Sequence, residues 1–276
     1  MRQDALSIEL QTTGMDKLAE EYGKVIENIM GRTVSARLKN TDLSGDPSAG
    51  SVEAKRFVNV QGKTYGTARG LGEGQKVKAL PVTIPIDTDT EYLEEVEEKD
   101  LRMYGVAGLI ERRVRNHGES IIVDDETAFF QEAFDEGTDF TPTATAIEDE
   151  IEEAIQTIET TSNDFVRGVP RNLIEVIAKP SVYGQLRNFI DTIASVDITK
   201  SAEEIGMFHG VMISSNVFLP DDVDYIVMIR GAIAQPVLPS IYPPAKVEFS
   251  DATGFGIFTY KGTKAVMPDL IIYKEA

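Results

Sequence analysis

The sequence predicts an α+β protein, because segments with the period of a strand and segments with the period of a helix alternate along its 276 residues. Val82, Ile84 and Ile86 recur at every second position, which is typical of a strand with one buried face. Apolar residues in the stretch that ends near Gly137 recur mainly at spacings of three and four, which indicates a helix. We therefore expect a hairpin, a long helix and a mixed α/β unit.

The composition excludes several classes of protein. Hydrophobic content of 42% and charged content of 26% are ordinary for a globular protein. The absence of cysteine excludes disulfides, thiol catalysis and thiolate metal sites. No apolar run approaches the ~20 residues that span a bilayer, so no membrane partner is expected. A net charge of −19 argues against tight nucleic-acid binding, which needs clustered cations.

The first fifty residues predict an arm that carries one amphipathic helix. Its apolar residues recur at spacings of three and four, at Met15, Leu18, Tyr22, Val25 and Ile29. Residues 31–50 are polar and rich in turn formers, so they indicate an extended segment.

Residues 51–88 predict an extended β-hairpin whose two arms flank a glycine-rich tip at residues 66–74. Pro81 and Pro85 cannot donate to a strand ladder, so we expect an edge strand. An isolated hairpin is marginally stable in water and must lie on another surface. That surface belongs either to a neighbouring subunit or to the hairpin's own domain, and the sequence leaves both alternatives open.

Charge changes sign abruptly along this region. Residues 53–78 contain six cations and two acids, whereas residues 87–100 contain eight acids and one lysine. Opposite charges favour a contact between the hairpin of one subunit and the acidic segment of the next, and such head-to-tail contacts propagate into rings or arrays. The candidate inter-subunit residues are Lys63, Arg69, Lys76, Lys78, Asp87, Asp89, Glu91, Glu94, Glu95, Glu97 and Glu98.

A long helix is expected from around Glu91 to Gly137, and a compact unit follows it. The unit is predicted to contain a helix over residues 144–160 and a second helix that begins at Pro180, where a missing N–H costs nothing. Its predicted strands are Leu173–Ala178, Val211–Leu219 and Tyr225–Ala234.

Three short strands are expected to close the chain beside the long helix. They are Lys246–Phe249, Phe255–Tyr260 and Lys264–Tyr273, with a hairpin turn at Lys261-Gly262.

The segment between Arg115 and Arg167 contains fifteen acids and neither lysine nor arginine. A solvated acidic face is the ordinary explanation of such a run. The functional alternative is the inner wall of a container, which would repel packed nucleic acid.

Motifs for catalysis and cofactor binding are absent from the sequence. It contains no HExxH, GxSxG or GxxxxGK[ST] motif, and His117 and His209 are expected to be structural. The segment Asp87–Glu91 lacks the glycine and the distal glutamate of a calcium loop. We expect no catalytic residue, no metal site and no cofactor. A soluble carboxylate hydrolase is the alternative from another functional class.

Several motifs together resemble the major capsid proteins of tailed bacteriophages. They are Tyr65-Gly-Thr-Ala-Arg69, Pro85-Ile-Asp-Thr-Asp89, the run Tyr104-Gly-Val-Ala-Gly-Leu-Ile-Glu-Arg-Arg113, and Leu219-Pro-Asp-Asp followed by Tyr225-Ile-Val-Met-Ile-Arg-Gly-Ala232. The resemblance covers nearly the whole chain in order.

This resemblance implies an N-terminal arm (1–50), an extended loop (51–88), a peripheral domain with a spine helix (89–140 and 239–276) and an axial domain (141–238). It also implies pentamers and hexamers in an icosahedral shell around double-stranded DNA. The shell would be the capsid of a virion, assembled in the host cytoplasm with a separate scaffold protein and a portal. DNA would be contacted weakly and without sequence specificity. Encapsulins share this fold, so a protein nanocompartment is the alternative.

Overall fold

The computed structural model of the chain describes residues 33–60, 62, 64, 76–97, 99, 106–192 and 207–276. The helix predicted between Met15 and Ile29 and the glycine-rich tip lie outside these residues. The described helices are α1 Val34–Leu38, α2 Val106–Glu136, α3 Ile147–Glu159 and α4 Pro180–Thr192. The described strands are β1 Leu43–Ser44, β2 Ser51–Phe57, β3 Ala79–Pro85, β4 Thr88–Val96, β5 Thr138–Asp139, β6 Ile174–Ala178, β7 Met207–Phe208, β8 Val211–Ser215, β9 Val223–Ile229, β10 Ile233–Ala234, β11 Val237–Lys246, β12 Thr253–Lys261, β13 Lys264–Ala265 and β14 Ile271–Glu275.

The chain folds into two compact units, and α2 contributes residues to both. The described residues of the first unit come from segments 33–37, 86–128 and 236–262. Those of the second unit come from segments 38–85, 129–235 and 263–276. None of the helices within the described ranges is long and apolar enough to cross a membrane.

The first unit is a three-stranded antiparallel sheet that packs on α2. Its strand order is β11-β12-β4, so β4 lies at an edge. Val114 and Ile121 of α2 and Phe255 and Ile257 of β12 form the buried core. The remainder of the sheet's inner face is supplied by partly buried residues such as Tyr92.

Residues 88–96 form a strand, so the expectation of a helix from around Glu91 is wrong. Thr90, Tyr92, Glu94 and Val96 are partly buried, whereas the residues between them are exposed. This alternation is the period of a strand. The high content of glutamate favours a helix locally, but nine residues of pairing with β12 decide the structure.

The predicted long helix is confirmed as α2, which contains 31 residues and ends at Glu136. Gly137 follows it because a β-carbon at this position would collide with the carbonyl oxygen of Ala133. Glycine has no β-carbon, so it is the residue that allows the backbone at position 137 to pass this close to the last turn of α2.

The second unit is built on a six-stranded mixed sheet with the order β5-β14-β9-β6-β8-β7. Every residue of β6 is buried, as expected of a central strand. Helix α3 packs against β9 and β14, and α4 packs against β6 and β8. Four of the five predicted inward residues of α3 are buried, namely Ile151, Ala154, Ile155 and Ile158, and the fifth, Ile147 in its first turn, is partly buried. Pro180 begins α4 as predicted.

The end of the chain agrees with the expectation only in part, because Tyr273 and Lys264 contact Phe134 and Glu136 of α2 while the strands that carry them pair elsewhere. Lys261-Gly262 does not close a hairpin, because β13 pairs with β10. Strand β14 pairs with β9 in the six-stranded sheet and not beside the sheet that packs on α2. Ile271 and Ile272 are buried there. The partner of an apolar strand is a non-local choice, which periodicity does not specify.

The hairpin arms pair as β2 and β3 with Ser51 opposite Pro85, and β1 lies on the other side of β2. Strand β3 is therefore an edge strand, as Pro81 and Pro85 predict.

Candidate assembly surfaces

The base of the hairpin packs on its own compact unit. Val52, Ala54 and Ile84 are buried in one cluster with Ala234 and Val266. Of the two alternatives that the sequence leaves open, the hairpin's own domain is therefore the support of this base. Burial of Val52 and Ile84 contributes about 2 kcal/mol each, and the methyl group of Ala54 adds about 0.8 kcal/mol, to holding the base there.

The outer part of the two arms exposes apolar and cationic side chains. Val77 exposes 82% of its surface and Val60 exposes 63%. Single exposed apolar residues are ordinary, but a group of them beside cations is typical of a contact surface. We define the arm surface as Lys55, Phe57, Val60, Lys76, Val77, Lys78 and Leu80, all of which are exposed.

The acidic segment lies on the edge strand of the first unit and forms a row. Asp89, Glu91 and Glu95 alternate with the inward residues of β4 and are exposed. Asp87 and Glu97 continue the exposed acids at the two ends of the strand. Charges on an edge strand also discourage unwanted pairing with other chains, so a protective role accounts for part of this row.

Aromatic side chains lie beside the acidic row on the same face of the sheet. In register, Phe258 lies opposite Glu91, and Tyr260 lies opposite Asp89. The ring of Tyr242 lies 5.5 Å from that of Phe258. We define the sheet surface as Asp89, Glu91, Leu93, Glu95, Tyr242, Phe258 and Tyr260. It combines apolar area with negative charge.

The side chain of Glu94 lies on the opposite face of the sheet, toward α2, and is bound within its own unit. Arg113 of α2 donates two hydrogen bonds to the Glu94 carboxylate. The Nε2 atom of His117 lies 3.4 Å from the same carboxylate. Burial lowers the pKa of His117, and the nearby charge of Arg113 lowers it further. Glu94 therefore serves the interior of the unit, although the sequence places it among the inter-subunit candidates.

Two further contacts tie the sheet to α2. The buried Lys261 donates to Asp125, also buried, at 3.0 Å. The hydroxyl of Tyr92 donates to Asp124. Burial raises the pKa of Tyr92, and its hydrogen bond to Asp124 adds to this effect.

Some of the acids in the segment between Arg115 and Arg167 are neutralised by cations from later in the chain. Lys264 lies 2.5 Å from Glu136 and 3.6 Å from Glu132. Arg171 pairs with Glu152 at 2.5 Å and with Glu159 at 2.9 Å. The sequence shows the run as uniformly acidic, because these partners lie beyond its end.

Arg171 organises a charge cluster that joins three elements of the second unit. Besides its two glutamates on α3, it donates to the carbonyl oxygen of His209. The Nδ1 atom of His209 lies 3.0 Å from Glu152. Burial alone would raise the pKa of Glu152, but hydrogen bonds from Arg171, His209 and Gln156 lower it to about 2.

The candidate inter-subunit residues predicted from the sequence do not lie on one surface of the described chain. Three of them, Lys63, Arg69 and Glu98, lie outside the described residues. Lys76 and Lys78 belong to the second unit, and the acids from Asp87 to Glu97 belong to the first. Sequence reasoning missed the apolar members of both surfaces. Their exposure follows from strand register and sheet edges, which no local signal in the sequence contains.

Three solved structures illustrate what this chain is similar to. A chain of Mycobacterium phage Che8 superposes with a TM-score of 0.68 at 20% identity, over 88% of this chain and 91% of that one. A chain of the capsid of cyanophage P-SCSP1u gives 0.63 at 14% identity, over 88% of each chain. The virus-like particle from Pyrococcus furiosus gives 0.60 at 14% identity, over 95% of this chain and 99% of that one. No protein-family model and no curated protein sequence matches the chain.

Each superposition covers most of this chain and most of the matched chain, so the similarity concerns the whole architecture and not one motif. The chain therefore has a fold from which protein shells are built. More particularly, it has the fold of phage capsid proteins, which confirms the resemblance predicted from the sequence.

Proposed function

We propose that this protein is the major capsid protein of a bacteriophage and forms an icosahedral shell around double-stranded DNA. The observation that carries the proposal is the likeness to the capsid of cyanophage P-SCSP1u, which extends over 88% of this chain and 88% of that chain. Subunits would assemble as pentamers and hexamers in the host cytoplasm. A separate scaffold protein and a portal would take part.

We also propose the domains predicted from the sequence, with the assignment of the last residues changed. The loop is 51–88, and the sheet on α2 is the core of the peripheral domain. The six-stranded sheet is the core of the axial domain, which extends from about residue 141. The pairing of β14 with β9 favours assigning residues 263–276 to the axial domain.

The assembly contact of this proposal joins the arm surface of one subunit to the sheet surface of the next. Both surfaces contain exposed apolar side chains, among them Val77 on the arm and Tyr260 on the sheet. Their charges are complementary, with lysines on the arm and carboxylates on the sheet. Apolar burial would supply affinity, and charge would select the register. Because the two surfaces differ, the contact is heterologous and repeats around a ring.

Charge reversal tests this contact. The double variant Lys76→Glu/Lys78→Glu is expected to lose shell formation while the subunit stays folded. Adding Asp89→Lys and Glu91→Lys to that variant is expected to restore shells, because the charges are exchanged and complementary again. Lys246→Glu, at an exposed lysine of β11 outside both surfaces, is the matched control. Normal shells from the Lys76/Lys78 variant, seen by negative-stain microscopy, would refute the pairing.

A protein nanocompartment is the second candidate. It stays a candidate because a shell other than a phage capsid shares this fold, since 95% of this chain aligns with a chain of the virus-like particle from Pyrococcus furiosus. The nucleic-acid content of particles from infected or lysogenic cells distinguishes the two candidates. Nuclease-protected DNA of uniform length supports the capsid, and particles filled with protein alone support the compartment.

A carboxylate hydrolase is the candidate from another class. It would remain a monomer or dimer on a sizing column under conditions in which a capsid protein forms large particles.

A further inference from the structure

We propose that Arg56 and Asp269 form a clamp that fixes the direction in which the hairpin leaves its own subunit. Arg56 lies near the outer end of β2, and Asp269 lies in a short 3-10 turn near the end of the chain. The two terminal nitrogens of Arg56 donate to the two carboxylate oxygens of Asp269 at 2.5 and 2.6 Å. The inference rests on the proposed function for its consequence in assembly.

Two more side chains complete the clamp. The guanidinium carbon of Arg56 lies 4.4 Å from the ring centroid of Phe165. The side-chain amide of Asn163 donates to the same carboxylate of Asp269. The planar guanidinium makes a bidentate ion pair and covers an aromatic face at once, which a lysine ammonium does not. The Arg56 side chain is 10% exposed and the Asp269 side chain 29%, so the pair is partly shielded from solvent at its arginine end.

The backbone of the hairpin is also hydrogen-bonded to the loop at residues 160–170, which contains Asn163 and Phe165. The N–H of Asn59 donates to the carbonyl oxygen of Asp164 at 2.9 Å. The side-chain amide of Asn59 donates to the carbonyl oxygen of Phe165 at 2.5 Å. Within the loop, the Asn163 side-chain oxygen accepts from the N–H groups of Phe165 and Val166 and holds the turn. The hairpin, this loop and the 3-10 turn thus meet at one point.

The clamp gives the hairpin a second attachment, farther out than its apolar base. Apolar contacts are not directional and allow a pair of strands to tilt. A tilt of about 10° moves a point about 20 Å along an extended arm by about 3.5 Å, which is enough to lose a specific contact. Bidentate bonding and backbone hydrogen bonds restrict that tilt, since they depend on orientation. Arg56 and Asp269 are therefore positioning residues for assembly.

A distance measurement between two spin labels tests the clamp directly. The chain contains no cysteine, so Val77→Cys and Val217→Cys label one exposed position on the arm and one on the body of the second unit. In unassembled subunits we expect a narrow distance distribution, which becomes at least twofold broader in Arg56→Met. The exchange variant Arg56→Asp/Asp269→Arg is expected to recover most of the narrow distribution. Lys55→Met, at the exposed neighbouring position of β2, is the matched control for this distance measurement and should leave the width of the distribution unchanged.

Arg56→Lys provides a second test that keeps the charge and a folded subunit. It is expected to broaden the distribution, because the bidentate geometry is lost, and to leave the melting temperature within a few degrees. If the distance distribution in Arg56→Met is as narrow as in the unsubstituted protein, the clamp is refuted. If Arg56→Met does not fold, an unchanged width in Arg56→Lys refutes it instead. Shell yield from Arg56→Met is expected to fall at least fivefold. Failure of the unsubstituted protein to form shells would count against the proposed function alone, because the label distances are measured without assembly.

Discussion

Gly256 determines how closely β12 approaches the acidic edge strand β4. A β-carbon at Gly256 would collide with the carbonyl oxygen of Tyr92 and lie 3.0 Å from the α-carbon of Leu93. At Gly254, in the same strand, the nearest atoms are 3.8 Å away, which is ordinary contact. The two glycines therefore have different reasons to be present, although they are two residues apart.

Gly256→Ala is expected to lower the free energy of unfolding by about 2 kcal/mol, because backbone atoms of β4 must move. Gly254→Ala is the control and should change it by less than about 0.5 kcal/mol. Thermal unfolding of the unassembled subunits measures both. Equal effects of the two variants would contradict the close approach described here.

Phe249 is fully exposed at the turn between β11 and β12 and has a φ of 60°. Bonds between Val247 and Ala252 and between Ser250 and Val247 hold the turn in this conformation. The left-handed region costs a non-glycine residue about 1 kcal/mol, and asparagine tolerates it best.

Phe249→Asn is expected to raise the free energy of unfolding by about 1 kcal/mol. Phe249→Ala removes the same ring but keeps the strain, so it should leave stability nearly unchanged. Denaturant unfolding of the unassembled subunit compares the two variants. A loss of stability in Phe249→Asn would show that the ring makes a stabilising contact.

At the scale of elements, the Arg171 cluster connects α3 to the segment before β6 and to the turn between β7 and β8. Glu152 has an unfolded-state pKa of 4.5 and a folded-state pKa of about 2. The deprotonated carboxylate thus stabilises the fold above about pH 4.5, and this contribution is lost as pH falls toward 2.

Glu152→Gln is expected to lower stability at pH 7 by about 1 kcal/mol, a modest value because solvent screens part of the cluster. The variant should also lose less stability than the unsubstituted protein between pH 4.5 and 2.5. Melting temperatures across that range measure both effects. Parallel pH profiles for the two proteins would exclude Glu152 as the titrating group.

The pair Lys261–Asp125 connects β12 to α2 inside the first unit. Lys261→Met leaves a buried carboxylate without its cation, so we expect a loss of about 3 kcal/mol. Lys261→Met/Asp125→Leu should recover most of this loss, because neither charge remains. Lys246→Met, at an exposed lysine of β11, is the control and should be nearly neutral. Chemical denaturation of the four proteins decides between these outcomes.

Local patterns predicted the elements whose own period is clear, although their partners are distant. The spacing of Ile151, Ile155 and Ile158 identified α3, Pro180 identified the first residue of α4, and the apolar run before it identified β6. The type of an element was mispredicted where its local signal conflicts with its partner, and the partners themselves could not be predicted. Glu91 to Val96 contains good helix formers, yet it pairs with β12 more than 150 residues later. Strand β14 likewise joins β9 because the central sheet buries Ile271 and Ile272.

The candidate assembly surfaces could be predicted only in part, for the same reason. The sequence displays the charges of Lys76, Lys78 and the acidic row directly. It does not display which strand lies at an edge or which face of a sheet remains open. Tyr242, Phe258 and Tyr260 join the sheet surface only through the register of three strands.

At the scale of the whole molecule, one subunit presents two unlike surfaces whose apolar and charged groups are complementary. An apolar base and the Arg56–Asp269 clamp hold the hairpin on its own unit, and the arm surface beyond them stays exposed. Many such head-to-tail contacts would sum to a stable shell although each is weak. Salt should therefore weaken assembly by screening the exposed charges.

A cryo-electron microscopy reconstruction of the purified protein, expressed alone and with its scaffold, would show directly whether the arm surface and the sheet surface meet. We expect a closed icosahedral shell in which Lys76 and Lys78 of each subunit lie against Asp89, Glu91 and Glu95 of a neighbour. Particles in which the hairpin contacts only its own subunit, or a protein that stays monomeric under all assembly conditions, would refute the head-to-tail contact.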